Sequence, residues 1–300
     1  MTQVWVVGEV LIDLIPDGSE RKPIVGGGPA NTAKALSKLG FDTQFIDGVS
    51  TDDYGQMTKG ELVHAGVKLD YVKYSDKPTC LAIVSVSDKG SASYEFVIEN
   101  TATFDFNLGW LPNPQAEPPT LLHIGTLATV IEPGASVLFD WAQSVAKVAP
   151  VIFDPNIRPA VISDRDLYVK QVERWVAISS AVKVSEEDIR WLYPSLEIEQ
   201  VVNNWLAKGP SLIVVTYGDK GLAGYRVGEK VFVDAVKVVV ADTVGAGDTV
   251  GAILVEAIVK DGLNTLSGVR LEMLLKRAAK AAGITVSRNP SRHKSIQADL

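Results

Sequence analysis

Apolar residues in this chain gather in short runs, and between the runs they recur at helical spacing. Residues 4–7 form one such run, ended by Gly8, which is the pattern of a central strand covered on both faces. It leads through Glu9 into residues 10–16, an apolar extension interrupted by Asp13. Gly26-Gly27-Gly28-Pro29 then opens a predicted helix with Ala33, Leu36 and Leu39 at helical spacing, stopped by Gly40. Residues 41–49 read as a strand, and Thr51-Asp52-Asp53 caps a helix that Gly66 ends. The β-rich runs 79–86 and 93–98, joined by Ser87-Asp88-Lys89-Gly90, predict a hairpin. With residues 11–16, that hairpin is expected to form a small sheet outside the main core, a lid.

Residues 107–119, holding Pro112, Pro114, Pro118 and Pro119, read as a loop returning to the core. Beyond it strand and helix alternate. Residues 121–124 are followed by a helix after Pro133 with Val137, Leu138, Trp141, Val145 and Val148 on one face. Residues 151–153 precede a helix capped by Ser163, residues 181–184 precede one capped by Ser185, and Leu212–Thr216 resumes the sheet. Residues 236–241 have the β-branched density of a buried strand, and residues 249–258 the apolar content of a packed helix. Such alternation predicts an α/β fold, a Rossmann-like, mostly parallel sheet flanked by helices. Ligands of such folds bind beyond the carboxyl ends of the strands, and Asp154 with Asn156 and Arg158, Ser185 with Glu186, Thr216 with Gly218, and Asp248 are all expected there.

Three hundred residues, 46% of them hydrophobic, can bury one large core or a core with a small appendage. A net charge of −7 without a block of Lys and Arg argues against a nucleic-acid surface. No apolar run approaches the roughly 18 residues of a membrane helix, and the start of the chain has neither a basic n-region nor a long apolar h-region. The single cysteine, Cys80, suits a reducing compartment, so a cytoplasmic protein is expected. His64, His123 and His293 are far apart and show no ligand spacing.

The stretch that carries chemistry is Asp242-Thr243-Val244-Gly245-Ala246-Gly247-Asp248-Thr249. A glycine-rich turn opening a helix can hold an anion on unpaired amides at the positive end of the helix dipole. Asp248 is out of place beside a phosphate unless it accepts a proton from a hydroxyl that attacks phosphorus. A P-loop would need the lysine that is missing here, and a dinucleotide fingerprint would need glycine where Val250 stands.

With Gly26-Gly27-Gly28-Pro29-Ala30-Asn31-Thr32-Ala33 upstream and Gly40, Gly48 and Gly55 following it, the chain resembles the ribokinase-like carbohydrate kinases, a group that includes bacterial fructokinases. The resemblance implies a single kinase domain over residues 1–300, with a lid of about residues 10–25 and 76–100 inserted in the α/β core. It implies ATP and Mg²⁺, with K⁺ as a further candidate cation, acting on a small-molecule sugar, and a homodimer formed through the lid. Asp13, Gly27, Gly28 and Asn31 resemble sugar contacts; Gly245, Ala246 and Gly247 resemble an anion hole, and Asp248 a catalytic base. Thr216, Gly218 and Gly221 are similar to the nucleotide-side turn, joined there by Ser185. Asp188 stands where the family reaches Mg²⁺ through water. Asp154-Pro155-Asn156-Ile157-Arg158-Pro159 resembles a run shared by fructokinases and 2-keto-3-deoxygluconate kinases, which makes Arg158 a candidate for the substrate side. With no arginine near Ser91 or Ala92, Tyr94 and Phe96 are the residues that could reach over the sugar. Fructose ranks first, ahead of 2-keto-3-deoxygluconate, ribose and nucleosides. A regulator without catalysis and a dinucleotide oxidoreductase are the rivals from other classes.

Overall fold

The computed structural model describes residues 3–86 and 92–287. Its main sheet begins with β1 (Gln3–Val7), and the chain passes at once into β2 (Leu11–Asp17) and β3 (Glu20–Gly26) of a second sheet. Helix α1 (Gly28–Lys38) returns it to β4 (Asp42–Ile46). The short β5 (Gly48–Ser50), α2 (Asp53–His64) and β6 (Lys73–Ser75) lead to the hairpin of β7 (Leu81–Val86) and β8 (Ala92–Val97). Strand β9 (Leu121–Gly125), α3 (Gly134–Val145), β10 (Val151–Asp154), α4 (Arg165–Ile178) and β11 (Ala181–Ser185) then alternate. After α5 (Glu186–Leu192) and α6 (Ile198–Leu206) come β12 (Leu212–Thr216), β13 (Gly221–Arg226) and β14 (Glu229–Asp234). The described chain ends with α7 (Ala246–Asp261) and α8 (Gly268–Val286).

The main sheet has the order β14-β13-β12-β11-β10-β9-β1-β4, parallel from β4 to β12 and antiparallel across β12, β13 and β14. Because the central strands are buried on both faces, their sequences read as unbroken apolar runs rather than alternation. Trp5, Val7, Leu122, Phe153, Val182 and Val215 join one core cluster with α3 to α6. Val4, Val6, Leu121, Ile152, Ala181 and Val214 join the other with α1, α7 and α8. The second sheet, β3-β2-β7-β8, carries Asp13 on β2. The α/β class, the flanking helices and the small separate sheet are those expected from the sequence. Among the described residues no helix is long and apolar enough to cross a membrane.

Three expectations need correction. Residues 236–241 are not a buried strand: they are irregular, with Val239 89% and Val240 59% exposed. They form no ladder with β14, whose outer edge ends the sheet order. The segment is held instead by Ala241 N and Asp242 N donating to Val286 O at the end of α8, so Asp248 follows a loop and not a strand. Residues 41–49 form two strands broken at Asp47, whose buried carboxylate accepts from Val10 N at 3.0 Å and Gly48 N at 2.8 Å. The cap of α4 is Asp164, which accepts from Leu167 N, rather than Ser163. The hairpin turn at 87–90, Ser91, the side chain of Tyr94 and His293 lie outside the described residues.

Candidate active site

The parallel strands β1, β9, β10, β11 and β12 end along one edge of the main sheet, and two helix N-termini meet them there. Helix α1 starts from Gly27, whose φ of 102° favours glycine; a Cβ there would stand 2.4 Å from Glu9 O. Pro29 in the first turn presets the helical φ, and Asn31 N donates back to Gly27 O at 2.9 Å. Helix α7 starts from Gly245 in the left-handed conformation at φ 80°, and an Asx turn, Val244 N to Asp242 Oδ1 at 2.9 Å, shapes the approach. First-turn amides of a helix have no acceptor within it, so this turn offers donors and a positive dipole end to an anion.

The two N-termini touch through Asn31 Nδ2, which donates to Asp248 Oδ2 at 2.9 Å, and through Thr32 Oγ1, which donates to Asp248 O at 3.3 Å. Gly28 faces the same point: a methyl group on it would lie 3.2 Å from Asp248 Oδ1, 3.0 Å from Asn156 Nδ2 and 3.2 Å from Thr126 Cγ2. The absence of a side chain at Gly28 therefore leaves a space bordered by a carboxylate, an amide and a hydroxyl-bearing residue. Thr126 and Asn156 both hold positive φ, 57° and 40°. Such strain in non-glycine residues is kept where surrounding structure imposes it, commonly at binding sites.

Burial pushes the Asp248 carboxyl up to about 6, against the pull of Asn31, Lys183 and Arg158. The carboxylate is thus a mild base near neutrality. Asp13 on β2 is also raised to about 6 by burial, with Arg158 and Lys34 acting the other way. Its Oδ2 occupies the place a Cβ on Gly26 would take, 2.1 Å away, so Gly26 gives the carboxylate its room. Arg158 links the two acids: its guanidinium donates to the carbonyls of Asn156 and Ile157, and its charge reaches Asp13, Glu9 and Asp248. A cleft of about 360 Å³ lies between Phe96 and Val97 of β8, with Ile98 and Glu99 following them, and Ala160 and Val161, two and three residues after Arg158.

Asp13, Gly27, Gly28, Asn31, Arg158 and Asp248, with the turn Gly245, Ala246 and Gly247, therefore lie around one region. Ser185 and Thr216 lie side by side where β11 and β12 end. Gly218 (φ 60°) opens a single 3₁₀ turn, and Gly221 (φ 130°) admits no side chain, since a Cβ would meet Val233 O at 2.1 Å. Asp188 completes a capping box with Ser185, and its other oxygen accepts from Ile157 N at 3.0 Å. Burial and the nearby Asp154 raise its pKa. Both its oxygens are engaged by backbone amides, so a contact through water is the form that suits it. Among the described residues no three acids, cysteines or histidines gather as a metal cage.

Sequence reading placed Asp154 at a strand end but passed over Thr126, Lys183 and any role for His123 here. Thr126 donates its hydroxyl to the buried Glu9. His123, Asp154 and Lys183 lie on adjacent strands with side chains on the α7 face, and Lys183 Nζ bonds Asp154 Oδ2 at 2.9 Å. The signal was present: a Lys and a His inside otherwise apolar, doubly covered strands must be paired or neutral.

The model of the pfkB family carbohydrate kinases matches residues 1–297 of the chain. A fructokinase of Rhizobium leguminosarum bv. trifolii is 32% identical over 263 residues, covering 86% of this chain and 80% of the relative. The structure of a Vibrio cholerae O395 fructokinase double mutant in a fructose-, ADP- and potassium-bound form superimposes with a TM-score of 0.85 at 25% identity, covering 100% of this chain and 95% of the other. A Xylella fastidiosa fructokinase with bound ATP shares the fold at a TM-score of 0.89 and 21% identity, covering 99% of this chain and 94% of that one.

Proposed function

The chain belongs to the pfkB family of carbohydrate kinases, and from that premise we propose that it is an ATP-dependent fructokinase, forming fructose 6-phosphate. The observation that carries the chemistry is Asp248 at the first turn of α7, bonded to Asn31 and facing the space above Gly28. The sugar hydroxyl in that space gives its proton to Asp248 and attacks the γ-phosphorus in line, breaking its bond to the β-phosphate oxygen and releasing ADP. The turn of Gly245, Ala246 and Gly247 receives the charge that develops on the phosphoryl oxygens. Mg²⁺ bound with the nucleotide would supply neutralising charge to the phosphate oxygens. Asp13 accepts from sugar hydroxyls, with Gly27, Gly28 and Asn31 around them. Ser185, Thr216, Gly218 and Gly221 form the nucleotide side, K⁺ would be a further cation, and Asp188 would hold Mg²⁺ through water. Residues of about 10–25 and 76–100 act as a lid on one kinase domain, and a homodimer forms through it. The sheet order leaves β3 and β8 as edges available for that pairing.

A second reading, 2-keto-3-deoxygluconate kinase, is favoured by Arg158 alone, because a guanidinium can pair bidentately with a substrate carboxylate. A sugar panel with product NMR tests both. The expected kcat/KM for fructose is at least ~10-fold above those for ribose and 2-keto-3-deoxygluconate, about 1.4 kcal/mol of transition-state binding. Preference for the keto-acid, lost in Arg158→Ala, would reverse the ranking. Asp248→Asn should lower kcat by about 10²–10⁴-fold while both ligands still bind. Near-normal turnover in a folded variant would remove Asp248 from the mechanism.

A further inference from the structure

Beneath the α7 turn the main sheet carries charge where its neighbours are apolar. Lys183 on β11 and Asp154 on β10 form an ion pair at 2.9 Å, with side chains 5% and 3% exposed. The ammonium lies under the turn itself: a Cβ on Gly247 would stand 2.9 Å from Lys183 Nζ. The pair is incompletely satisfied, because Asp154 Oδ1 and both ring nitrogens of His123 have no partner among the described residues. His123 faces α7 as well, its Nε2 3.3 Å from a Cβ placed on Gly251.

Stability alone accounts poorly for this arrangement. A buried ion pair gains little over well-packed apolar residues once desolvation is counted, and each orphaned polar atom costs about 1–3 kcal/mol. What the arrangement does provide is a fixed positive charge one residue from Asp248.

We propose that Lys183, held by Asp154, is a positioning residue for phosphoryl transfer: from beneath the α7 turn it fixes the charge state of Asp248 without touching either ligand. The inference rests on the reading of Asp248 as base. The groups facing Asp248 are Asn31 from α1, Lys183 from β11, Asp154 from β10 and Arg158 beyond it. Those facing Lys183 are Asp154, Asp248 and Asp188, with His123 beside them. His123 is pushed down to about 4, chiefly by burial, and is neutral at working pH. Lys183 lowers the Asp248 pKa and Asp154 raises it, so the two partners of one ion pair must move the base in opposite directions.

The test is the acid limb of kcat/KM for fructose at saturating MgATP, whose own ionisation is common to all variants. The Asp248 midpoint of about 6 sets the wild-type limb. Lys183→Met should move that limb up by about one pH unit. That shift lowers turnover about fivefold at pH 6 relative to wild type and leaves it near wild type above about pH 8. Asp154→Asn, which keeps an acceptor for Lys183, should move the limb down. If Lys183→Met does not fold with Asp154 uncompensated, the opposite-signed shift of Asp154→Asn still decides the matter. Limbs that stay in place, or move the other way, overturn the assignment of Lys183. Should Asp248→Asn turn over normally, the base reading falls first and takes this one with it. Loss of turnover in Asp248→Asn with unmoved limbs in the other variants removes Lys183 alone.

Discussion

At the scale of single residues, the pairing of Asp13 with Gly26 makes recognition separable from catalysis. Asp13→Ala should weaken sugar binding far more than ATP binding, because the buried acceptors are matched to sugar hydroxyls. Gly26→Ala should act in the same direction, since its methyl would collide with Asp13 Oδ2 at 2.1 Å. Calorimetric titration with each ligand separates the cases, and equal losses for both would indicate a folding role. The pH dependence has a definite sign. A base with a pKa of about 6 is active when deprotonated, so kcat/KM should fall as pH drops below about 6, more steeply if Asp13 must also be charged. A profile flat from pH 5 to 8 would contradict this. Asp248 and Asn31 were legible in the sequence because each sits in a short glycine-rich motif. Lys183 and Thr126 were not, and Asp154 was read only as a strand-end residue, since strand register alone brings them under or beside the α7 turn.

At the scale of elements, the second sheet gives the clearest expectation. If β2, β3, β7 and β8 close over the sugar, amide exchange in residues 79–86 and 92–98 should slow when sugar is added. Unchanged exchange at saturating sugar would remove the lid. The central strands and α1 could be read from the chain because a doubly covered strand and an amphipathic helix leave their period in it. Residues 236–241 misled for a physical reason: β-branched density says that a segment can be extended, not that it joins a sheet, and here its end is tied to α8 through Val286 O instead. Asp47 broke a predicted strand in the same way, its carboxylate drawn to the amides of Val10 and Gly48.

For the whole molecule, the buried acids around the site set a balance between stability and activity. Glu9, Asp13 and Asp248 are raised to about 6, chiefly by burial, and Asp47 well above its usual range. Between about pH 4 and 6 the folded chain therefore binds more protons than the unfolded one, and stability declines as pH rises through that window. His123, lowered to about 4, opposes one of these four groups, since its contribution is lost as pH falls. Asp52, Glu173 and Glu256, whose pKa values are lowered, lose their contributions mainly below pH 4. The unliganded protein should then melt at least about 1.5 °C lower at pH 7 than at pH 5, roughly 1 kcal/mol for a chain of this size. Calorimetric melts at the two pH values check it, and a higher Tm at pH 7 would refute it. The placement of Asp13 on one sheet and Asp248 on a helix of the other also bears on descent. Mutations that drift through the smaller sheet would change which acceptor is taken while the transfer machinery stays intact. A lineage built on this plan can diversify its diet of substrates without reinventing its chemistry.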